Sequence, residues 1–460
     1  MEEEEVTTRP ERAFDRDWTQ GSIVRNLLSL SWPMMVNMSL NMVGPTIDMI
    51  WVGRLGPASI AGVGIAGMAA MLVMAAVMGL MAGVRAMVAR FVGAGDVAGA
   101  NHVARQAFAV SALFAILLAA VGIFFAEPIM DLFGVEADVV AEGAAYLRIM
   151  FLSTVVMAFR MTAESIMQAS GDSMTPMRIA ILFRLCHVLL CPFLVLGWWI
   201  FPALGVSGAA ATNVISQSLG TVLGLWVLLM GRSRLRLTLR GFRLDFNIIW
   251  RILRIGLPAL VMGMQRNLGQ LALMWFMAPF GTLAVAAHSL YQRVLMILVM
   301  PGVGLGMGAG VLVGQNLGAR RPARAERTGW LAAGIVEGFV LVASVVVLVF
   351  PEGIVNVFST EPGLVEVASA FLRIAVAGYV VLGFVAVFQF AISGAGDTVP
   401  PMIFSLVMVW VVQLPLAYLL PRVTELGVYG IRWAIVANMV VGAVAYTLYF
   451  AMGRWKQKSI

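Results

Sequence analysis

The stretch GDSMTPM at residues 171–177 returns as GDTVPPM at residues 396–402, 225 positions further along the chain. Other pairs keep the same offset: Pro33 with Pro258, Gly56 with Gly281, Gly93 with Gly318, Phe133 with Phe358, and Leu147-Arg148-Ile149 with Leu372-Arg373-Ile374. A repeat of this length in an apolar chain predicts two similar membrane bundles with a space between them, the usual construction of a secondary transporter.

The composition indicates a membrane protein. Of the 460 residues, 61% are hydrophobic and 12% are charged, whereas a soluble domain has about a quarter charged residues. The apolar residues occur in runs of about 20, long enough to cross the hydrocarbon core as helices. Short alternating strands, which would indicate an outer-membrane barrel, are absent from the sequence. We therefore predict an all-α integral membrane protein.

The apolar runs predict twelve transmembrane helices in two six-helix lobes. Spans 1–12 are expected near 27–52, 58–82, 104–125, 140–168, 178–201, 204–230, 252–278, 283–312, 327–350, 367–392, 400–420 and 428–452. The domains would be a tail (1–25), an N-lobe (26–230), a basic linker (231–251), a C-lobe (252–452) and a second tail (453–460). Because six is even, both lobes insert the same way up, related by a pseudo-twofold axis along the membrane normal.

The basic residues predict the orientation. Most of the 31 Lys and Arg residues fall in the two tails and one alternate set of loops, while Arg54 and Arg422 lie in loops on the other side. By the positive-inside rule, both termini and the linker are cytoplasmic. The net charge of +7 is then a topology signal with some attraction to anionic lipid, and we predict no nucleic-acid partner.

Asp48 is the most informative single residue, because a carboxylate within an apolar span is costly and marks a functional site by default. It shares a helical face with Asn37 and Asn41. Pro33 and Pro45 lie in the same span and are predicted to bend it, since proline lacks the helical N–H. We expect Asp48 to exchange protons or bind a cation; the alternative is a solvated carboxylate near the outer end of the span.

Other polar residues within spans are candidates for the lining of a cavity. The predicted cavity residues are Asn37, Asn41, Arg184, Cys191, Thr212, Asn213, Gln217, Arg266 and Gln270. For each one, a hydrogen bond between helices is an equal alternative. Arg160 and Glu164 would form either a structural salt bridge or a relay. His187 and Cys191 are four residues apart and could present two metal ligands, but no third stands out, so no metal site is predicted.

Two further patterns narrow the function. The methionines of span 1, Met34, Met35, Met38, Met42 and Met49, suit either a cavity for varied apolar ligands or lipid-facing packing. The Gly-Asp turns are interpreted as helix caps. No phosphate-binding loop, nucleophile elbow, kinase set or zinc-protease pair occurs. We therefore expect neither an enzyme nor a bound cofactor.

Over residues 25–452 the chain resembles the multidrug and toxic compound extrusion (MATE) family. The motifs that carry the resemblance are WVGRLGPASIAGVG (51–64), GDSMTP (171–176), CPFLVLGW (191–198), LGVSGAAAT (204–212), GLPAL (256–260), FGTLAVAAH (280–288), GQNLGA (314–319), SGAGDTVPP (393–401) and QLPLAYLL (413–420). The resemblance implies twelve helices in two lobes that form a V. It also implies export of amphipathic, often cationic, compounds across a prokaryotic plasma membrane by antiport with protons or sodium.

The resemblance assigns a coupling role to Asp48, which follows Pro33 by fifteen residues as the coupling acid does in one branch of the family. That branch has Asn, Asn and Asp in span 5, where this chain has Arg184, His187 and Cys191. Other members carry acids in spans 7 and 10, at places occupied here by Arg266 and Leu382. The chain therefore departs from the family at each of these positions.

These departures favour a proton over sodium, because sodium needs several oxygen ligands. We expect a monomeric, proton-coupled multidrug exporter that uses Asp48, with His187 as its partner. Arg184 and Arg266 would repel a strongly cationic cargo, so a zwitterionic, anionic or lipid-like cargo stays open. The alternative function is a flippase for a lipid-linked or lipid-like substrate; a non-transporting receptor or scaffold is the third reading.

Overall fold

The computed structural model describes residues 16–131, 137–238 and 242–460. These ranges contain helices and connecting turns and no strand. Most of the predicted first tail, Phe133 of the repeat and Arg240 of the basic linker lie outside the described residues.

The described structure contains fifteen α-helices, one π-helical segment and two short 3-10 helices, Ala278–Phe280 and Arg454–Gln457. The α-helices and the π segment are α1 (Ile23–Val52), α2 (Pro57–Gly93), α3 (Val97–Asp131), α4 (Ala137–Ser170), α5 (Met174–Leu196), α6 (Gly205–Leu229), α7 (Phe246–Met277), α8 (Thr282–Gly318), α9 (Pro322–Val349), α10 (Pro351–Asn356), α11 (Pro362–Tyr379), α12 (Leu382–Gly394), α13 (Val399–Leu406), the π segment (Val407–Gln413), α14 (Leu414–Val423) and α15 (Val428–Met452).

The helices account for the twelve predicted spans. Spans 1–9 are α1–α9, and α15 is span 12. Eleven described helical stretches are long and apolar enough to cross a membrane, with α13, the π segment and α14 counted as one stretch. The exception among spans 1–9 is α1, which carries the buried polar residues Asn26, Asn37 and Asp48. Span 10 is interrupted between α11 and α12, and span 11 runs through α13, the π segment and α14.

Several helices extend beyond the predicted spans at the end that carries both chain termini. Arg85 and Arg90, which the predicted bounds of span 2 leave in the following loop, lie in α2. Hydropathy detects the part of a helix in hydrocarbon, and these helices continue past it. For the same reason the linker predicted to end at residue 251 already ends before Phe246, where α7 begins.

The segment before α1 is packed rather than solvated. Trp18 and Thr19 are buried. The backbone carbonyl of Thr19 accepts a hydrogen bond from Arg321 at 2.7 Å, and that of Trp18 accepts one from Asn26 at 3.0 Å. The predicted first tail (1–25) is therefore packed against the protein in this described part, because the side chain of Trp18 lies in the hydrophobic core.

The sequence repeat returns as repeated geometry. Gly171 and Gly396 both have a left-handed backbone, with φ of 101° and 88°, which glycine adopts without strain. Each is followed by an aspartate whose N–H bonds back to a carbonyl five residues earlier. The ion pair between Arg148 and Glu127 recurs 225 residues later between Arg373 and Glu352.

The contacts between the lobes show the same symmetry. A methyl group on Gly93 would stand 2.0 Å from the carbonyl oxygen of Gln315, and one on Gly318 would stand 2.1 Å from that of Arg90. Adding 225 to Gly93 gives Gly318, and adding 225 to Arg90 gives Gln315. Each contact is therefore the counterpart of the other, as expected for contacts across a twofold axis. The lobes are therefore related by a pseudo-twofold axis that passes between α2 and α8.

The closest approaches between the lobes lie toward the side of both termini. A methyl group on Gly79 would stand 2.3 Å from the backbone of Leu260, and one on Gly83 would stand 2.4 Å from the carbonyl oxygen of Ile252. These glycines lie in the half of α2 that runs to that side. Glycine allows the two backbones to touch, so α2 and α7 close the molecule there.

Candidate functional site

A cavity of about 310 Å³ lies inside the N-lobe, between α1, α2, α4, α5 and α6. Its polar lining residues are Asn41, Asp48, Tyr146, Ser153, Thr154, Arg160, Arg184, Asn213 and Gln217. Pro45 of α1 also lines it. The cavity therefore contains the predicted residues Asn41, Asp48, Arg184, Asn213 and Gln217.

Asp48 is the centre of a buried hydrogen-bond network and is 1% exposed. Its Oδ1 atom lies 3.0 Å from Nε2 of His187 and accepts a hydrogen bond from the thiol of Cys191 at 3.6 Å. Its Oδ2 atom is buried and has no partner among the described residues. One carboxylate oxygen is thus fixed by α5, while the other keeps a free lone pair.

His187 connects Asp48 to α6. Its Nδ1 atom lies 3.3 Å from the hydroxyl of Ser216, which also reaches the backbone carbonyl of Thr212 at 2.7 Å. When the hydroxyl of Ser216 donates to Thr212, the oxygen of Ser216 accepts a hydrogen bond from the N–H at Nδ1 of His187. A neutral His187 then has no proton at Nε2, so the hydrogen bond there needs the proton of a protonated Asp48. When Asp48 is ionised, Nε2 carries the proton instead. The hydrogen bond between Asp48 and His187 can therefore hold one proton, carried by either side chain.

Arg184 places a positive charge in the same cavity. Its guanidinium packs on α1, because a methyl group on Gly44 would stand 2.0 Å from its Nη1 atom. It also lies over the ring of Phe183, 5.1 Å from the centroid. Within the described ranges, no carboxylate forms an ion pair with it. The charge is thus held in place and available to a ligand.

A second polar network joins α1, α4 and α6. Glu164 accepts hydrogen bonds from Asn37 at 2.7 Å, Arg160 at 2.8 Å and Gln168 at 2.9 Å. Arg160 also donates to Gln217 at 2.5 Å. The predicted pair of Arg160 and Glu164 is thus present, and its carboxylate accepts three hydrogen bonds, which favours the structural alternative.

The other predicted residues take different positions. Asn37 is buried and donates a hydrogen bond to Glu164, and it does not line the cavity. Thr212 is buried and bonds to the carbonyl of Gly208 within its own helix. Cys191 does not line the cavity but lies directly behind it, against Asp48. Pro33 and Pro45 both lie within an uninterrupted α1.

The structure adds a third atom to the pair of possible metal ligands. Asp48, His187 and Cys191 offer ligand atoms that lie within 4.8 Å of one another, whereas the sequence revealed two. Structural zinc sites are closed by four ligands, and three are found in the described residues here. The nearby arginine side chain in the same cavity also disfavours a cation.

Methionine side chains form much of the apolar wall of this cavity. Those that line it are Met49, Met68, Met71, Met74, Met150 and Met157. Of the five methionines expected from span 1, one is in this set, and Met34 and Met38 are buried in the core instead. Sequence reasoning missed Met68, Met71 and Met74, although their three-residue spacing places them on one helical face.

A second cavity, of about 220 Å³, lies inside the C-lobe. Its polar lining residues are Gln265, Arg266, Gln270, Tyr291, Gln292, Gln389, Ser405, Gln413, Asn438 and Tyr446. The predicted residues Arg266 and Gln270 therefore line a different cavity from the one that contains Asp48. Arg266 is the one charged residue among the described residues that line it. The π segment contributes Gln413, consistent with the frequent occurrence of such segments at functional sites.

Behind that cavity lies a buried arginine that sequence reasoning missed. Arg432 of α15 is 1% exposed and is held between the rings of Tyr291 and Phe371, at 4.1 and 4.2 Å from their centroids. One of its nitrogens contacts Nδ1 of His288. No carboxylate in the described part of the chain pairs with it.

The comparisons with known proteins agree with this architecture. A family model described as MatE matches residues 33–193 and 258–419, which are corresponding parts of the two lobes. A crystal structure of a MATE protein in the bent conformation has a TM-score of 0.90 at 24% identity, covering 95% of this chain and 96% of that one. The fold is therefore shared with that structure.

Two curated relatives cover nearly the whole chain. The Deinococcus radiodurans protein "Probable multidrug resistance protein NorM" is 30% identical, covering 92% of this chain and 94% of the relative. The Bacillus subtilis protein "Probable multidrug resistance protein YoeA" is 26% identical and covers 99% of both.

Proposed function

The chain belongs to the MatE family of membrane transporters, and we propose that it exports amphipathic organic compounds in exchange for protons. The observation that carries the proposal is the Asp48–His187 pair, 3.0 Å apart and beside the N-lobe cavity. Transport would proceed by alternating access between two lobes related by pseudo-symmetry. The prokaryotic plasma membrane, cytoplasmic termini and a monomeric state are part of the same proposal.

The atoms around Asp48 support a proton over a sodium ion. A proton needs one lone pair, which Oδ2 offers. Hard metal cations are bound by several oxygen ligands, whereas the partners of Oδ1 are a nitrogen and a sulfur atom. Arg184 lines the same cavity and would oppose a second positive charge there.

The position of Asp48 links its protonation to the shape of α1. Pro45 lies three residues earlier and lines the cavity, and it leaves the carbonyl of Asn41 without a helical partner. A protonated Asp48 no longer attracts Arg184, which packs against Gly44 of the same helix α1. We propose that α1 then bends at Pro33 or Pro45, reduces the cavity and expels the cargo outward.

The charges of the two cavities indicate the class of cargo. Arg160 and Arg184 line the N-lobe cavity together with Asp48, and Arg266 lines the C-lobe cavity. A strongly cationic molecule would meet an arginine in either cavity, Arg184 in the N-lobe or Arg266 in the C-lobe. We therefore propose that the cargo carries an anionic or zwitterionic group on an apolar body, which the methionine wall can accommodate.

A flippase for a lipid-linked or lipid-like substrate is the second candidate. The arginines in both cavities favour it, because they would bind a phosphate headgroup. Lipid scrambling in liposomes separates the two functions. A flippase would move a fluorescent phospholipid between leaflets without a proton gradient, whereas an exporter would leave the lipid distribution unchanged and move soluble dyes.

Flux in proteoliposomes tests the main proposal. The purified protein would be reconstituted in liposomes, and a proton gradient or a sodium gradient would be imposed across the membrane. Anionic, zwitterionic and cationic dyes of similar size would serve as cargo. We expect flux with the proton gradient, anionic or zwitterionic dyes moving faster than cationic ones, and loss of flux in Asp48→Asn. Glu127→Gln is the matched control, because it removes an exposed carboxylate of the same lobe. Undiminished flux in Asp48→Asn would refute proton coupling through this residue.

A further inference from the structure

The tenth span is interrupted inside the membrane, and the interruption needs a hydrogen-bond acceptor. α11 ends at Tyr379 and α12 begins at Leu382, and Val381 between them has φ −128° and ψ 4°. The first N–H groups of a helix have no partner within that helix. Valine has no side-chain acceptor to cap α12, so the acceptor must come from another element.

Glu337 of α9 supplies it. Its Oε2 atom accepts a hydrogen bond from the backbone N–H of Gly383, in the first turn of α12, at 2.8 Å. The two backbones also touch, because a methyl group on Gly383 would stand 2.7 Å from the backbone nitrogen of Glu337. The carboxylate is therefore fixed against the start of α12.

The other oxygen of this carboxylate has no partner. Glu337 is 6% exposed, and Oε1 is buried without a hydrogen bond in the described structure. None of the other ionisable residues of α9, or of the helices packed on it, bonds to Glu337. These residues are Arg324, Glu326 and Arg327 in α9, Arg25 and Asp48 in α1, His288, Tyr291 and Arg293 in α8, Glu352 in α10, and Glu366, Arg373 and Tyr379 in α11. α12 has none.

A buried carboxylate with no cation beside it has one simple way to lose its charge, which is to bind a proton. We propose that Glu337 is a second proton-binding residue, located in the C-lobe, and that its protonation releases the first turn of α12. A neutral acid accepts a hydrogen bond more weakly than a carboxylate does, so the bond to Gly383 weakens when Oε1 takes the proton.

The released turn forms part of the C-lobe cavity. Leu382, Val385 and Ala386 of α12 line that cavity, and Leu382 is adjacent to Gly383. Protonation of Glu337 therefore changes the wall against which cargo would lie. For its effect on transport the inference rests on the proton coupling proposed above, but the binding of a proton to Glu337 is measurable without transport.

Infrared difference spectroscopy between two pH values tests the proton-binding step. The measurement uses the purified Asp48→Asn variant, in which Asp48 gives no signal. We expect this variant to show a band of a protonated carboxyl group, and we expect the band to be absent from the double variant that also carries Glu337→Gln. Glu352→Gln is the control, because this acid lies on the neighbouring α10 and pairs with Arg373 at the surface. A band that survives in Glu337→Gln overturns the inference.

Hydrogen exchange tests the release of α12. After correction for intrinsic rates, we expect amides 382–386 of the Asp48→Asn protein to exchange about fivefold faster at the pH that protonates Glu337. Glu337→Gln should exchange at that faster rate at both pH values. Equal protection at both pH values in the protein with Glu337 overturns the inference. Failure of the proposed function shows separately, as absence of proton-driven flux in the wild type.

Discussion

Gly79 lies where α2 of the N-lobe touches α7 of the C-lobe, so it offers a direct test of how the lobes pack. A methyl group there would stand 2.3 Å from Cα and N of Leu260, whereas ordinary contacts begin at 3.4 Å. Both atoms belong to the main chain of a long helix, which would have to retreat by about 1 Å. Overpacking of this kind costs about 1–3 kcal/mol.

Gly67 provides the matched control in the same helix. A methyl group there would meet no atom within 4 Å, and alanine gains up to about 1 kcal/mol of helix propensity at either position. We expect Gly79→Ala to be less stable than Gly67→Ala by about 1–3 kcal/mol, because the propensity gain is common to both. Thermal unfolding of the purified variants in one detergent measures the difference. Equal midpoints would refute the backbone contact between the lobes.

Two further predictions concern charged groups. Arg160→Met should cost about 3–5 kcal/mol, because it leaves the largely buried Glu164 without its ion-pair partner, whereas Arg148→Met at an exposed pair should cost about 0–1 kcal/mol; equal losses of thermal stability would contradict this. The hydrogen bond from His102, followed by backbone N–H groups of α7, holds the pKa of Asp245 below its usual value. That stabilisation is present above the unfolded pKa and is lost as pH falls through the folded value. Hydrogen exchange at the start of α7 should therefore rise on acidification in the wild type and not in Asp245→Asn.

The sequence predicted those features that depend on composition and periodicity. The apolar runs located all twelve spans, and the 225-residue offset anticipated the reciprocal contacts of Gly93 and Gly318. The face shared by Asn41 and Asp48 placed both on the N-lobe cavity. The partnership of Asp48 with His187 was expected from the departure of span 5 from the family pattern, and the structure provides the contact, while its role in coupling stays a prediction.

Features that depend on contacts between distant parts of the chain could not be predicted from the sequence. The interruption at Val380 and Val381 contains no glycine or proline, so span 10 was expected to be continuous. It is stabilised by Glu337, 46 residues away, which no local pattern reveals. In the same way, the burial of Trp18 depends on a docking surface that tertiary packing creates.

The central claim is that a buried carboxylate in the N-lobe exchanges protons for cargo, and dye flux under separately imposed gradients tests it most directly. In proteoliposomes of the wild type, a proton gradient without sodium should drive export, a sodium gradient without protons should not, and Asp48→Asn should abolish the proton-driven flux. Flux driven by sodium alone, or proton-driven flux that persists in Asp48→Asn, would contradict the account.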